Sequence, residues 1–353
     1  MLLYIHIPFC DSKCSYCAFN SYVDKFSQRE RYMNALAIQL EYELKRFHVS
    51  AENRIETVFI GGGTPSTVDP LLYKPLFEKI SPYLMPNAEI TSEANPNSAT
   101  AEWLKGMYAL GVNRISFGVQ SFNDDKLKRL GRAHNTQHAI EAIQTAAQIG
   151  FKHLSLDLIY GVKGDTKTLL KTDIEQAFTL PIDHISLYAL TIEEDTAFEQ
   201  LPEMANEELE LTQWLFDTIT AQGFEHYEIS NFGKYKSRHN LGYWKHKPYI
   251  GLGAGAVGFL NRTRFYPSTD IEHYISHPLE IHEEELEDSA LLSEKLFLGF
   301  RSCVGVDETI LSVPQRIQAQ LLVENNLLEY REGRYVNSNF LLADEIALRV
   351  EGY

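Results

Sequence analysis

Six short apolar runs, separated by longer amphipathic stretches, constrain this chain more than any other feature. They lie at 2–7, 57–60, 88–93, 114–119, 153–158 and 184–189, with helical periodicity between them at 28–47, 99–110, 135–149 and 166–180. Apolar runs this short are of strand length, and strands that alternate with helices pair in parallel. The expected fold class is α/β. The six strands should form a partial (β/α)6 barrel whose functional residues sit at the strands' carboxyl ends.

The pattern changes after about residue 190. A helix is expected over 206–221, then an aromatic, polar stretch at 225–244, a glycine-rich stretch at 251–258, and an acidic run at 280–288 that reads as a solvated linker face. From residue 289 come a helix, a second helix near 314–325, and a hairpin at 328–336 turning at Glu332-Gly333. The domains expected are a barrel over 1–225, a connecting segment over 226–287 and a small C-terminal helical, winged-helix-like domain over 288–353. That last segment carries 10 acidic and 6 basic side chains, and the whole chain has a net charge of -16. Such a balance argues against nucleic acid and for docking or lid duty. Hydrophobic residues at 44% and charged residues at 23% are those of a soluble globular protein. With only four cysteines and neither a signal peptide nor a membrane-length apolar stretch in view, a cytoplasmic location is expected.

Three of those cysteines stand as C-x3-C-x2-C, at Cys10, Cys14 and Cys17, just after Pro8 stops the first strand. Three thiolates on one loop can each hold one iron of a [4Fe–4S] cube. No fourth ligand is in the motif, so one iron stays open to a substrate or cofactor. Zinc, which commonly takes four ligands from two separated pairs, and redox thiols are the competing readings. Cys303, on an apolar stretch, reads as a buried small hydrophobe.

Other chemistry-bearing residues fall at successive strand ends: Gly61-Gly62-Gly63-Thr64-Pro65, Glu93, Gln120, Arg132 and Asp157. Glycines let backbone amides come close to a ligand. Glu93 can grip hydroxyls or an ammonium, the plain alternative being a surface acid. Asp157 would be costly to bury unpaired among Leu156, Leu158 and Ile159, and Arg132 offers a planar charge for a carboxylate. Tyr4 and His6 share one face of the first strand by its period of two, and His6 is equally readable as a satisfied core histidine. In His239-Asn240-Leu241-Gly242-Tyr243-Trp244, a histidine with aromatic neighbours suits an axial haem ligand in a stacking pocket, or simply packs. His226 and His246 are possible substitutes.

Taken together, YIHIPFCDSKCSYCAF, FIGGGTPS, SFGVQSF, LDLIYG and HNLGYW resemble the radical S-adenosylmethionine (SAM) superfamily. Within it they are similar to the oxygen-independent coproporphyrinogen III oxidase group and its relative, the HemW haem-chaperone family. The resemblance implies a [4Fe–4S] cluster on Cys10, Cys14 and Cys17, and SAM contacts at Tyr4, Tyr16, Gly62, Gly63, Thr64, Glu93, Gln120, Arg132 and Asp157. The oxidases carry a further cysteine two positions past the third ligand, where this chain has Phe19, and a long N-terminal extension, where this chain opens into its first strand at Leu2. The H-N-x-x-Y-W motif characteristic of the haem-chaperone family is complete. The resemblance therefore implies haem bound at His239, Asn240, Tyr243 and Trp244, in a pocket distinct from the barrel mouth. It also implies delivery of haem to apo-haemoproteins, respiratory and membrane-associated ones among them, with cluster and SAM regulating transfer or a homodimer. The alternative reading is an oxidase that converts two propionates to vinyls by oxidative decarboxylation. A third is a scaffold that keeps the cluster without turnover.

Overall fold

The computed structural model describes residues 1–206 and 208–352; Glu207, inside the helix expected over 206–221, and Tyr353, at the end of the expected C-terminal domain, lie outside them. Strands β1 (Leu2–Ile7), β2 (Ile55–Gly62), β3 (Leu84–Ala94), β4 (Arg114–Gln120), β5 (His153–Tyr160) and β6 (His184–Ala189) pair in chain order, all parallel. Helices α1 (Arg29–Arg46), α2 (Pro70–Ile80), α3 (Ala101–Ala109), α4 (Asp124–Arg129), α5 (Thr136–Ile149) and α6 (Lys167–Phe178) form the crossovers. Local chemistry sets their ends. Thr100, Asn135 and Thr166 cap α3, α5 and α6 by accepting the backbone N–H three residues on, and Gly150 stops α5 at φ 106°.

Strand periodicity divides the barrel into two chemistries. Leu3, Ile5, Ile7, Val58, Ile60, Ile115, Phe117, Leu154, Leu156, Ile185 and Leu187 belong to one buried apolar core with the helices. Apart from Phe59, the alternate positions are mostly polar: Tyr4 and His6, Thr57, Glu89 and Glu93, Arg114 and Ser116, Ser155 and Asp157, His184 and Ser186. These face the inside of the partial barrel, and burial there demands hydrogen bonds. Ser155 pairs with His184 Nδ1 at 2.7 Å, and His184 Nε2 with the Tyr227 hydroxyl at 2.7 Å.

The segment 226–287, expected as a connection, carries further strands of the same sheet. Beyond β6 lie β8 (Asn231–Gly233) and β7 (Glu225–Glu228), and beyond β1 lie β9 (Tyr249–Leu252), β10 (Gly258–Leu260), β11 (Thr263–Pro267) and β12 (Ile281–Glu285), twelve strands in all. The acidic run is thus an edge strand paired with β11, with Glu283, Glu284 and Glu285 exposed on the outer edge as charged edges are. Helix α7 (Leu209–Thr220) precedes these strands, α8 (Arg238–Trp244) closes the foot of the barrel and α9 (Ile271–Ser276) links β11 to β12. Glu89 fixes α8 there, accepting from the N–H groups of Arg238 at 2.8 Å and His239 at 3.0 Å and from the Tyr235 hydroxyl at 2.7 Å.

Residues from Asp288 build a second core of their own. It holds α10 (Asp288–Phe300), β13 (Val306–Asp307), α11 (Val313–Glu324), β14 (Leu328–Arg331), β15 (Arg334–Asn337) and α12 (Ala343–Glu351), the three strands forming a sheet of their own. The β14–β15 hairpin turns at Glu332 and Gly333, both at positive φ, as a tight two-residue hairpin loop requires. Cys303 is half-buried rather than buried; its N–H bonds to Tyr227 O across the seam between the two cores.

Candidate functional site

The three cysteines lie on a loop that leaves β1 at Pro8 and returns at Tyr22, which bonds back to the strand end: Cys10 N donates to Tyr22 O and Tyr22 N to Pro8 O. All three thiols are free and line one open cavity of about 590 Å³ at the carboxyl ends of the strands. Tyr16, Gly62, Gly63, Thr64, Glu93, Gln120, Arg132 and Asp157 line the same cavity. Of the residues named for SAM from sequence, only Tyr4 lies elsewhere.

The glycine loop acts differently from expectation. Its amides are not left free for a ligand: Gly63 N donates to Ile7 O and Thr64 N to Phe9 O, both at 2.8 Å, while Gly62 N donates to Glu93 at 3.1 Å. The loop therefore clamps the base of the cysteine loop. Gly62 sits at φ 111°, and a Cβ there would overlap the His6 ring; a Cβ on Gly63 would lie 3.0 Å from Cys10 Sγ. The Thr64 hydroxyl donates to Cys10 Sγ at 3.4 Å.

Arg132 is locked in place by four partners. It donates to Cys14 Sγ at 3.2 Å, the Tyr16 hydroxyl at 3.4 Å, Gly118 O at 2.7 Å and the Asn95 side chain. Asn95 is a site residue that sequence reasoning missed; its signal was its place two residues past Glu93 at the same strand end. Gln120 reaches the cavity because β4 bulges between Phe117 and Gln120, leaving Gln120 at φ 67°.

Glu93 and Asp157 are the electrostatic centre of the mouth. Burial, then the charge of Asp157, pushes Glu93 up to about 8. Burial also raises Asp157, against hydrogen bonds from Ser186 and Ser116 that lower it. Two buried carboxyls sharing one cavity suit a cationic ligand, whose charge would offset their mutual repulsion. Because the Glu93 carboxyl titrates higher folded than unfolded, the unfolded chain gives up its proton first as pH rises. Stability from keeping it neutral is complete below about 4.5 and drains away as pH climbs to about 8. Glu93→Gln, which keeps an acceptor for Gly62, is expected to match the parent near pH 5. At pH 8.5 the ligand-free variant should be more stable by on the order of 2 kcal/mol in urea unfolding. Equal stability at pH 8.5 would show that the carboxylate ionises without penalty.

A second cavity, about 520 Å³, adjoins the first. Its aromatic lining includes Tyr4, Phe19, Phe59, Tyr243 and Tyr249, with His6, His239 and Asn240 among its polar groups. His6 is fully engaged: Nε2 donates to Asn20 O at 2.8 Å and Nδ1 accepts from the Tyr4 hydroxyl at 3.0 Å. His239 stacks on Phe59 at 5.1 Å, with Nδ1 2.7 Å from the Thr57 hydroxyl and Nε2 3.1 Å from that of Tyr243. Burial lowers its pKa to about 3, so the imidazole is neutral. This second cavity is separate from the barrel mouth but shares a wall with it, because Ala18, Phe19, Gly62 and Glu93 line both. Trp244, His226 and His246 line neither; His226 stacks on Phe232 and His246 pairs with Glu294 at 3.1 Å.

Residues 4–177 match the family model described as the radical SAM superfamily. The heme chaperone HemW of Bacillus subtilis (strain 168) is 36% identical over 86% of this chain and 84% of its own length. The chain belongs to the HemW family. Another HemW, from Escherichia coli (strain K12), is 38% identical over 72% of this chain and 69% of its own. In fold, the HemW-family chain is similar to the solved coproporphyrinogen III oxidase (HemN) of Escherichia coli, with a TM-score of 0.82 over 100% of this chain and 90% of that one at 19% identity. Radical SAM membership implies SAM and a [4Fe–4S] cluster, and the residues fit both. Three free thiols converge on one cavity, no fourth cysteine lines it, and Gly63 leaves only enough room beside Cys10 for a hydrogen. Among the described residues no helix is long and apolar enough to cross a membrane.

Proposed function

We propose that this chain binds haem in the second cavity, beside a cluster and SAM held in the first, and hands the haem to apo-haemoproteins, respiratory ones among them. The observation that carries the reading is the aromatic cavity around His239, which shares a wall with the cysteine cavity and has a volume in the usual range for small-molecule sites. Cys10, Cys14 and Cys17 would hold the cluster, and Tyr16, Gly62, Gly63, Thr64, Glu93, Gln120, Arg132 and Asp157 would surround SAM, with Tyr4 reaching from the adjoining cavity. A cluster held by three thiolates supplies one iron open to a further ligand. For haem, His239 is the candidate iron ligand: Thr57 would keep the ring oriented through Nδ1, and Nε2, now 3.1 Å from the Tyr243 hydroxyl, would be the donor atom. A neutral imidazole needs no deprotonation to bind iron. Asn240, Tyr243, Tyr249 and Phe19 would face the macrocycle, while Trp244, the last residue of α8, lies outside the cavity lining. The setting proposed is cytoplasmic, the chain working alone or as a homodimer. The oxidase alternative rests on a likeness of fold; against it stand the HemW-family membership and Phe19, 67% exposed between the two cavities.

Haem titration of His239→Ala beside the parent chain tests the assignment, with iron content checked to show that the cluster survives. The variant is expected to bind haem at least about tenfold more weakly, with a shifted Soret band. The same affinity and spectrum in both would remove His239 as the ligand, and conversion of coproporphyrinogen by the reconstituted protein would overturn the chaperone reading.

A further inference from the structure

We propose that His273, His277 and Glu280 form a site for a divalent transition metal of the zinc class, separate from the cysteine loop and from both cavities. Their three ligand atoms lie within 4.8 Å of one another, and all three residues are solvent-exposed. Two local devices preorganise the set. His273 and His277 are one helical turn apart, with His277 N donating to His273 O at 2.8 Å, so their imidazoles stack at 4.8 Å between centroids. Pro278 then sets a tight turn, closed by Glu280 N donating to His277 O at 3.1 Å, which folds Glu280 back onto the helix end. The Glu280 carboxylate already meets His273 Nε2 at 3.2 Å.

Two imidazoles and a carboxylate are a zinc-type donor set with the fourth position left to water. Tetrahedral zinc needs donor atoms about 3.4 Å apart, given bonds of about 2.0–2.1 Å. Exposed side chains can close a gap of that size by rotamer adjustment. The position also gives the site a consequence. The first turn of α9 and Thr269, two residues before it, hold the return limb of the cysteine loop: Thr269 O accepts from Asn20 and Tyr22, and Glu272 pairs with Lys25 at 2.6 Å. A metal that ties the Pro278 turn to α9 would stiffen the element against which that loop rests.

The test is a Co2+ titration of the whole chain carrying Cys10→Ser, Cys14→Ser, Cys17→Ser and Cys303→Ser, so that thiolates contribute nothing. One Co2+ per chain is expected, with visible d–d absorbance and no thiolate charge-transfer band, displaced by Zn2+. His273→Ala and His277→Ala should each weaken uptake by about tenfold or more, and Glu280→Gln by less. Because the three side chains are exposed, these variants should fold as the parent does, which circular dichroism checks. Uptake that is unchanged in both histidine variants, or no uptake at about 100 µM metal, overturns the site.

Discussion

Cys14→Ala is expected to lose most of its iron on anaerobic reconstitution, from about four per chain to fewer than one, together with the brown charge-transfer absorbance. The size of the effect follows from geometry. Cys10, Cys14 and Cys17 face one cavity, and no other cysteine lines it to take over. The loop itself should survive, because its closure depends on backbone bonds: Cys10 N to Tyr22 O, Ser15 N to Leu130 O and Cys17 N to Cys14 O. The melting temperature of the iron-free variant should therefore stay within a few degrees of the iron-free parent. Cys303→Ala, at the seam between the two cores, should keep full iron. Full iron in Cys14→Ala, or its loss in Cys303→Ala, would falsify the ligand set.

Gly62→Ala is expected to destabilise the chain by about 2–4 kcal/mol, the largest single loss among the glycines at the site. Two causes add. The backbone is at φ 111°, which a Cβ resists, and the new methyl would collide with the His6 ring. His6 cannot move aside cheaply, since Tyr4 and Asn20 hold its two nitrogens. The double variant His6→Ala with Gly62→Ala removes the collision and keeps the backbone strain. Urea unfolding of the two single variants and the double should thus show a favourable coupling of at least about 1 kcal/mol. Strict additivity would mean that the φ angle alone demands glycine. Since Gly62 N also holds Glu93, SAM affinity should fall in Gly62→Ala even where the protein remains folded.

Much of this architecture was legible along the chain because it is written locally. A strand's period of two separates Leu3, Ile5 and Ile7 from Tyr4 and His6 without reference to any partner, and six repeats of strand and helix define a parallel sheet. Strand ends are local too, so Cys10, Gly62, Glu93, Gln120 and Asp157 could be placed at one mouth before their contacts were known. The strands between residues 225 and 285 escaped for the opposite reason. They are three to five residues long, and their existence depends on the open edges of β1 and β6, which they cover.

What the sequence by itself determined is most of the set of residues at the mouth, Asn95 excepted; which of them are free to act was decided by tertiary structure. The glycine loop's amides are consumed by Ile7, Phe9 and Glu93, a choice made by the return of the cysteine loop rather than by the glycines. Arg132 is spent on Cys14, Tyr16, Gly118 and Asn95. The H-N-x-x-Y-W segment could be read as a haem ligand or as packing, and no local pattern separates the two. Its position is set by Thr57, 182 residues away, and by Glu89, 150 residues from His239. Those bonds exist because the inner positions of the strands are polar and buried, so each needs a partner, and α8 is the element that brings partners to the foot of the barrel.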